Sequence, residues 1–388
     1  MSFLIGCNSK TKNSSLIYEI LQESKEPIIK KVLSDLNSHK VQILFTRIHR
    51  DSLGKPEFES HKFQVHSKHY FYPASTVKLP VAILALQKIR KLQSQGIPIT
   101  PDTPFTVLFS ENIIKKTDST HPNNKLTIAH LIKKIFLVSD NTAYNYLFDF
   151  IGRDDANKAI HSIGIPNFKL SHKFSDSETQ NSTPHFIFFN QKGDTIYNQA
   201  PIISNQKIKN THLEGVLKGK GYVKDGTVIE ESMDFSEKNY ASIEALHQIL
   251  KRIIFPKLFS KNEQFKIEQE DYFFLRYWMS KTPNEVTIPF YDRETFFDSY
   301  GKFFIYGDKK GEMTNTTRIY NKVGLAYGTT TDVAYVKDRN GIEFFLTATI
   351  LTNKNVIFND NKYEYDQLGI PFLAALGREI YQFEYKLL

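Results

Sequence analysis

Residues 72–86 read Tyr72-Pro73-Ala74-Ser75-Thr76-Val77-Lys78-Leu79-Pro80-Val81-Ala82-Ile83-Leu84-Ala85-Leu86. The pattern predicts a long apolar helix from about Ser75 to Gln93, ended by Gly96 with Pro98 beyond. Pro80 lies near its start, where few amides have helical partners, so it need not break the helix. Ser75 and Lys78 are three apart and share one helix face. Amides at a helix N-terminus are free and the dipole there favours negative charge. A lysine buried at that place loses its proton more readily and can act as a base toward the serine. Ser-x-x-Lys also begins at Ser9, Ser52, Ser204 and Ser299, but only Ser75 opens a long apolar helix.

Two further clusters lie downstream. Ser139-Asp140-Asn141 falls in a break between two amphipathic helices, Leu126–Val138 with Thr127 as cap and Thr142–Ile151. Such residues also favour a plain turn. Lys322-Val323-Gly324 lies on a strand that is otherwise apolar. A charge there is costly unless it faces a site or water.

Outward from these clusters, Ser15–Asp35 has helical spacing, and Val41–Ile48 and Lys62–Tyr72 read as strands. Asp154–Ile163 reads as one more helix. Hairpins are expected around Lys192-Gly193-Asp194 and Asp225-Gly226. Helices follow at Tyr240–Ile254, Gln269–Met279 and Glu294–Ile305. Strands close the chain at Thr317–Gly324, Thr331–Lys337 and Ile342–Leu351, before a helix from Ile370 to Phe383. This order predicts an α+β fold, with a five-stranded antiparallel sheet flanked by helices and a mainly helical insertion. The expected parts are a tether at 1–14, a sheet domain from 15–72 plus 312–388, and a helical domain at 73–311. The last would carry inserted hairpins around 185–234.

Together the three clusters resemble the set used by class A β-lactamases and penicillin-binding proteins. The flanks are similar too, including Leu126-Thr127-Ile128, Asn141-Thr142-Ala143-Tyr144-Asn145 and Tyr327-Gly328-Thr329-Thr330-Thr331-Asp332. The resemblance covers roughly 41–164 and 319–351. It implies that Ser75 is a nucleophile and that Lys78 takes or relays its proton. Ser139 would pass a proton toward the leaving group, and Lys322 would steady Ser139 and a substrate carboxylate. Asn141, Gly324, Leu325 and Thr329 would bind substrate, with the amides of Ser75 and Leu325 as the oxyanion hole. The reaction implied is acyl transfer through an acyl-enzyme, with no metal and no cofactor. The leading expectation is β-lactam hydrolysis. A cell-wall peptidase or esterase is the alternative enzyme, and a non-catalytic binding protein on the same fold is a third reading.

Two departures bear on activity. Val323 stands where the family pattern has Thr or Ser, which removes a hydroxyl for a substrate carboxylate. The stretch Lys169–Pro184 also lacks the family's Glu-x-x-x-Asn. Glu178 is the candidate deacylation base, one residue too close to Asn181, and Asp176 is another acid nearby.

With 388 residues, 50 Lys+Arg and 42 Asp+Glu, the net charge of +8 is mild. Basic pairs such as Lys133–Lys134, and Lys88 with Arg90 and Lys91, read as solvated helix faces. No basic stripe with stacking aromatics is present, so no nucleic-acid partner is expected. The expected partner is a small-molecule or peptide acyl substrate, and the chain is expected to be a monomer. The single cysteine, Cys7, excludes an intramolecular disulfide framework. Leu4-Ile5-Gly6-Cys7 resembles a bacterial lipobox, which implies lipid attachment at Cys7 and an exported, periplasmic or membrane-anchored protein. His66 and His69 lie on an expected strand, where that spacing points them to opposite faces as surface residues.

Overall fold

The computed structural model describes residues 15–110, 113–175, 181–206, 208–311, 313–314 and 316–388. Cys7, Asp176 and Glu178 lie outside the described residues. The centre is an antiparallel sheet of five strands: β1 (Gln42–Arg50), β2 (Pro56–Phe63), β3 (Thr317–Ala326), β4 (Thr329–Asp338) and β5 (Glu343–Leu351). Their spatial order is β3-β4-β5-β1-β2. Chain ends thus complete one sheet, and β1 beside β5 makes the closing pair.

Strand alternation gives the sheet two faces. On the rear, Ile43, Phe45, Ile319, Val323, Ala334, Phe344 and Leu346 are buried. They pack with α1 (Leu16–Glu23), α2 (Pro27–Leu33) and the C-terminal helix. On the front, Leu44, Ile48, Val333, Tyr335 and Phe345 join a second core that runs into the helical part. That part contains α3 (Lys78–Ser94), α4 (Ile128–Val138), α5 (Asn141–Ile151), α6 (Arg153–Ser162), α7 (Ile243–Ile254) and α8 (Gln269–Ser280). The C-terminal helix is α9 (Ile370–Tyr385). Among the described residues no helix is long and apolar enough to cross a membrane.

Several local expectations need correction. The helix expected over Ser15–Asp35 is broken at Pro27, which opens a second helix because it cannot donate within the first. The second strand is Pro56–Phe63, and the chain leaves the sheet at Gln64, whose φ is 52°. His66 and His69 therefore sit in a turn. Glu294–Ile305 is no helix beyond the 3₁₀ turn Asp298–Gly301, where Tyr300 packs edge-on against Phe296 and Phe297. The hairpin His185–Phe189/Thr195–Gln199 adds to the strands Phe105–Ser110 and Ile113–Lys115, which periodicity missed. The hairpin at Asp225-Gly226 is present, with φ of 49° and 78° at its two turn residues, as a two-residue primed turn requires.

Candidate active site

Ala74 is left-handed (φ 47°) and turns the chain into the 3₁₀ segment Ala74–Val77, which feeds α3. Thr76 locks this corner, because its hydroxyl donates to the Pro73 carbonyl at 2.6 Å. Thr76, Val77 and Lys78 are buried, whereas Ser75 is partly exposed. The corner thus presents one hydroxyl to the outside and one amine to the inside.

Lys78 Nζ donates to the Ser139 carbonyl at 2.5 Å and to Asn141 Oδ1 at 2.6 Å, and lies 3.3 Å from Ser139 Oγ. Burial pushes its pKa down to about 7, with Asp140 pulling the other way. Ser139 ends α4 in the left-handed region (φ 57°), which aims its hydroxyl between two lysines. Lys322 Nζ reaches the same Oγ at 2.8 Å and donates to the Val323 carbonyl at 2.8 Å. Its pKa lies well below the lysine range, first through burial and then through the charge of Lys78. Two desolvated amines on one hydroxyl disfavour a second positive charge and leave a proton free to move between them.

Asp140 has a structural task. It caps α5 by accepting from the Ala143 amide at 2.7 Å, and it pairs with Lys134 at 3.2 Å. Lys134 also bonds Asp118 at 2.8 Å. The reading of Lys133–Lys134 as a solvated face is thus wrong for Lys134, which is buried in a pair of carboxylates. Lys88 is also mostly buried and donates to the Phe150 carbonyl. In both cases long-range packing, invisible to helix periodicity, covers the charge.

A second polar layer lies behind β3, and the sequence reading missed it. Lys302 is fully buried and donates to the carbonyls of Met279 (2.5 Å) and Ile319 (3.1 Å) and to Asn321 Oδ1 (2.8 Å). Asn321 donates to Asp332 at 2.9 Å, and Asp332 also accepts the amides of Phe303 and Phe304. Burial pushes Asp332 up to about 6 and Lys302 down to about 7. The available signals were a charge at Asp332 in an apolar strand and the Ser-x-x-Lys at Ser299.

Gly324 lets β3 lie against the nucleophile corner. A Cβ there would stand 2.6 Å from the Pro73 carbonyl and 3.0 Å from the Ser75 amide. Gly324→Ala is expected to destabilise the fold by about 1–3 kcal/mol through overpacking. A chemical denaturation midpoint would test it, and an unchanged midpoint would show that the corner yields freely. Leu325 follows, with a partly exposed side chain. Val323 packs into the rear core and brings no hydroxyl. The hydrogen-bond partners of Lys78 and Lys322 are Ser139, Asn141 and Val323, and Thr329 is not among them. It is buried and lines a separate cavity with Tyr70, Phe71 and Thr349.

The loop after α6 contributes an aromatic residue. Asn145 accepts the Phe174 amide at 2.9 Å and donates to the Phe174 carbonyl at 2.8 Å, which clamps that residue's backbone. Its ring then lies with its centroid 5.0 Å from Lys78 Nζ. Asn181, three residues after the candidate base in sequence, instead accepts from Arg153 at 2.6 Å. Phe235 of the inserted segment packs edge-on against Tyr327 in the β3–β4 turn, and Tyr72 does the same.

A sheet front carrying this serine, two lysines and a second serine defines a β-lactamase-like serine hydrolase fold. The chain belongs to the beta-lactamase enzyme family, whose description matches residues 26–383. Solved structures similar to it include that of PBP-A, at 13% identity and a TM-score of 0.53, covering 95% of this chain and 96% of that one. Another is a representative of class A beta-lactamase from Bacteroides cellulosilyticus, at 15% identity and a TM-score of 0.50, covering 92% and 96%. At such identities the likeness is one of fold. No curated protein matches the chain.

Proposed function

We propose that this protein forms an acyl-enzyme on Ser75 from a β-lactam or a related cell-wall amide or ester, and releases it slowly. Neutral Lys78 takes the Ser75 proton as Oγ bonds to the carbonyl carbon. The amides of Ser75 and Leu325 hold the oxyanion. As the tetrahedral adduct collapses, the carbon–nitrogen or carbon–oxygen bond breaks, and the leaving atom receives a proton through Ser139, drawn from the lysine pair.

The observation that carries slow release is the Phe174 ring against Lys78. An aromatic ring cannot take a proton from water, so Phe174 supplies no base for hydrolysis at the place it occupies beside Lys78. This favours the penicillin-binding type of chemistry over rapid β-lactam turnover. The test is incubation with a chromogenic cephalosporin while intact mass is recorded. The expected result is a single covalent adduct on Ser75 that persists, with little colour beyond one equivalent. Rapid colour without adduct would overturn slow release and point to hydrolysis with Glu178 as base. Neither adduct nor colour, with simple esters also inert, would favour a binding protein on the same fold.

A further inference from the structure

His66, His69 and Glu214 form a cluster that the proposed acyl transfer does not use. We propose that these three side chains bind one divalent transition-metal ion, zinc by preference, and so clip the inserted segment to the stretch that leads to Ser75.

The argument starts from the turn that replaces the expected strand. The His69 amide donates to the His66 carbonyl at 3.1 Å, which closes a tight turn and sets the two imidazoles side by side, 4.5 Å between ring centroids. Glu214 comes from far along the chain, yet its backbone is fastened on both sides. Its amide donates to the Lys68 carbonyl at 2.9 Å, and the Tyr70 amide donates to its carbonyl at 2.9 Å. The carboxylate is thereby held beside the imidazoles, with Oε2 at 2.6 Å from His69 Nε2.

One donor atom from each residue lies within 4.8 Å of the others. Ligands about 2.0–2.2 Å from a tetrahedral ion stand roughly 3.4 Å apart, so small side-chain rotations bring the set onto one centre. Two imidazoles and one carboxylate are a zinc-type donor set that leaves a fourth position open. All three residues line a cavity of about 460 Å³, which also holds Lys40, Lys218 and Tyr70. A plain ion pair of His69 and Glu214 would not account for His66, whose ring lies tilted by 37° against that of His69 and completes the triad.

The site spans two segments far apart in sequence. His66 and His69 lead through Tyr70–Pro73 to the nucleophile corner, and Glu214 enters the segment that carries Phe235 to the β3–β4 turn. An ion bound only by the folded chain also raises its thermal stability.

The test is titration of the metal-stripped full chain with zinc sulfate, followed by calorimetry. The expected result is one tight equivalent per chain and a zinc-dependent rise in melting temperature. His66→Ala, His69→Ala and Glu214→Gln should each weaken binding by at least about tenfold, the lower end of what loss of even a supporting residue costs a metal site. The three side chains are exposed, so the variants should melt like the unaltered chain in metal-free buffer. His66→Gln and His69→Gln serve if an alanine variant does not fold. Cobalt loading supplies a second readout, a four-coordinate visible spectrum that His69→Ala abolishes. Equal stoichiometry and affinity in the triple variant, or only millimolar binding by the unaltered chain, would overturn the proposal. Because no reading involves acyl transfer, its failure is separable from failure of the Ser75 chemistry.

Discussion

Ser75→Ala is expected to eliminate the covalent adduct entirely and to lower acyl transfer by about 10⁴-fold or more. The corner holds one accessible hydroxyl, and alanine removes the only atom there that can bond to an acyl carbon while leaving the buried Thr76, Val77 and Lys78 in place. Since Ser75 is only partly buried and Thr76 secures the turn, stability should change by about 0.5 kcal/mol or less. Intact mass after incubation with an acylating substrate reads the first effect and a denaturation curve the second. An adduct that survives on the variant would move the nucleophile elsewhere.

The second large effect is on Lys78. Its pKa is depressed to about 7, so the neutral base predominates above that pH and the cation below it. Acylation is therefore expected to level off above about pH 7 and to fall about tenfold per pH unit below it, as the base is lost. Lys78→Met should lower acylation by about 10²–10⁴-fold at neutral pH and flatten that limb. Stopped-flow acylation across pH, with the variant alongside, measures both. A rate that keeps climbing through pH 9 would mean that the acting base keeps the ordinary pKa of a solvated lysine. The sign follows from burial, which penalises the charged amine, and Asp140 only partly offsets it.

Much of the architecture was legible along the chain because it rests on local patterns. Thr127 caps α4 as expected, accepting the His130 amide. Gly152 ends α5 with φ 89°, a conformation that a side chain resists. The two central strands near the C-terminus are buried on both faces and were legible as short runs bounded by turn residues such as Asn340-Gly341. Ser75, Lys78, Ser139 and Lys322 could be picked out by order and context, and the fold brings the last three onto one hydroxyl. His66 and His69 were misread because a strand reading assigns them to opposite faces, whereas a turn places them together. Phe174 carried no signal at all, since its position depends on Asn145, 29 residues away.

The division has one physical origin. Helix spacing, strand alternation, caps and turn residues act over a few positions, so residues 72–86 and their counterparts near Ser139 and Lys322 already specify which groups meet. Desolvation acts through everything packed around a group, from whatever distance along the chain. The depressed pKa values of Lys78 and Lys322, the buried Lys302–Asn321–Asp332 layer and the ring against Lys78 all arise that way. The serine and its lysines belong to the linear order of residues; their proton balance belongs to the packing.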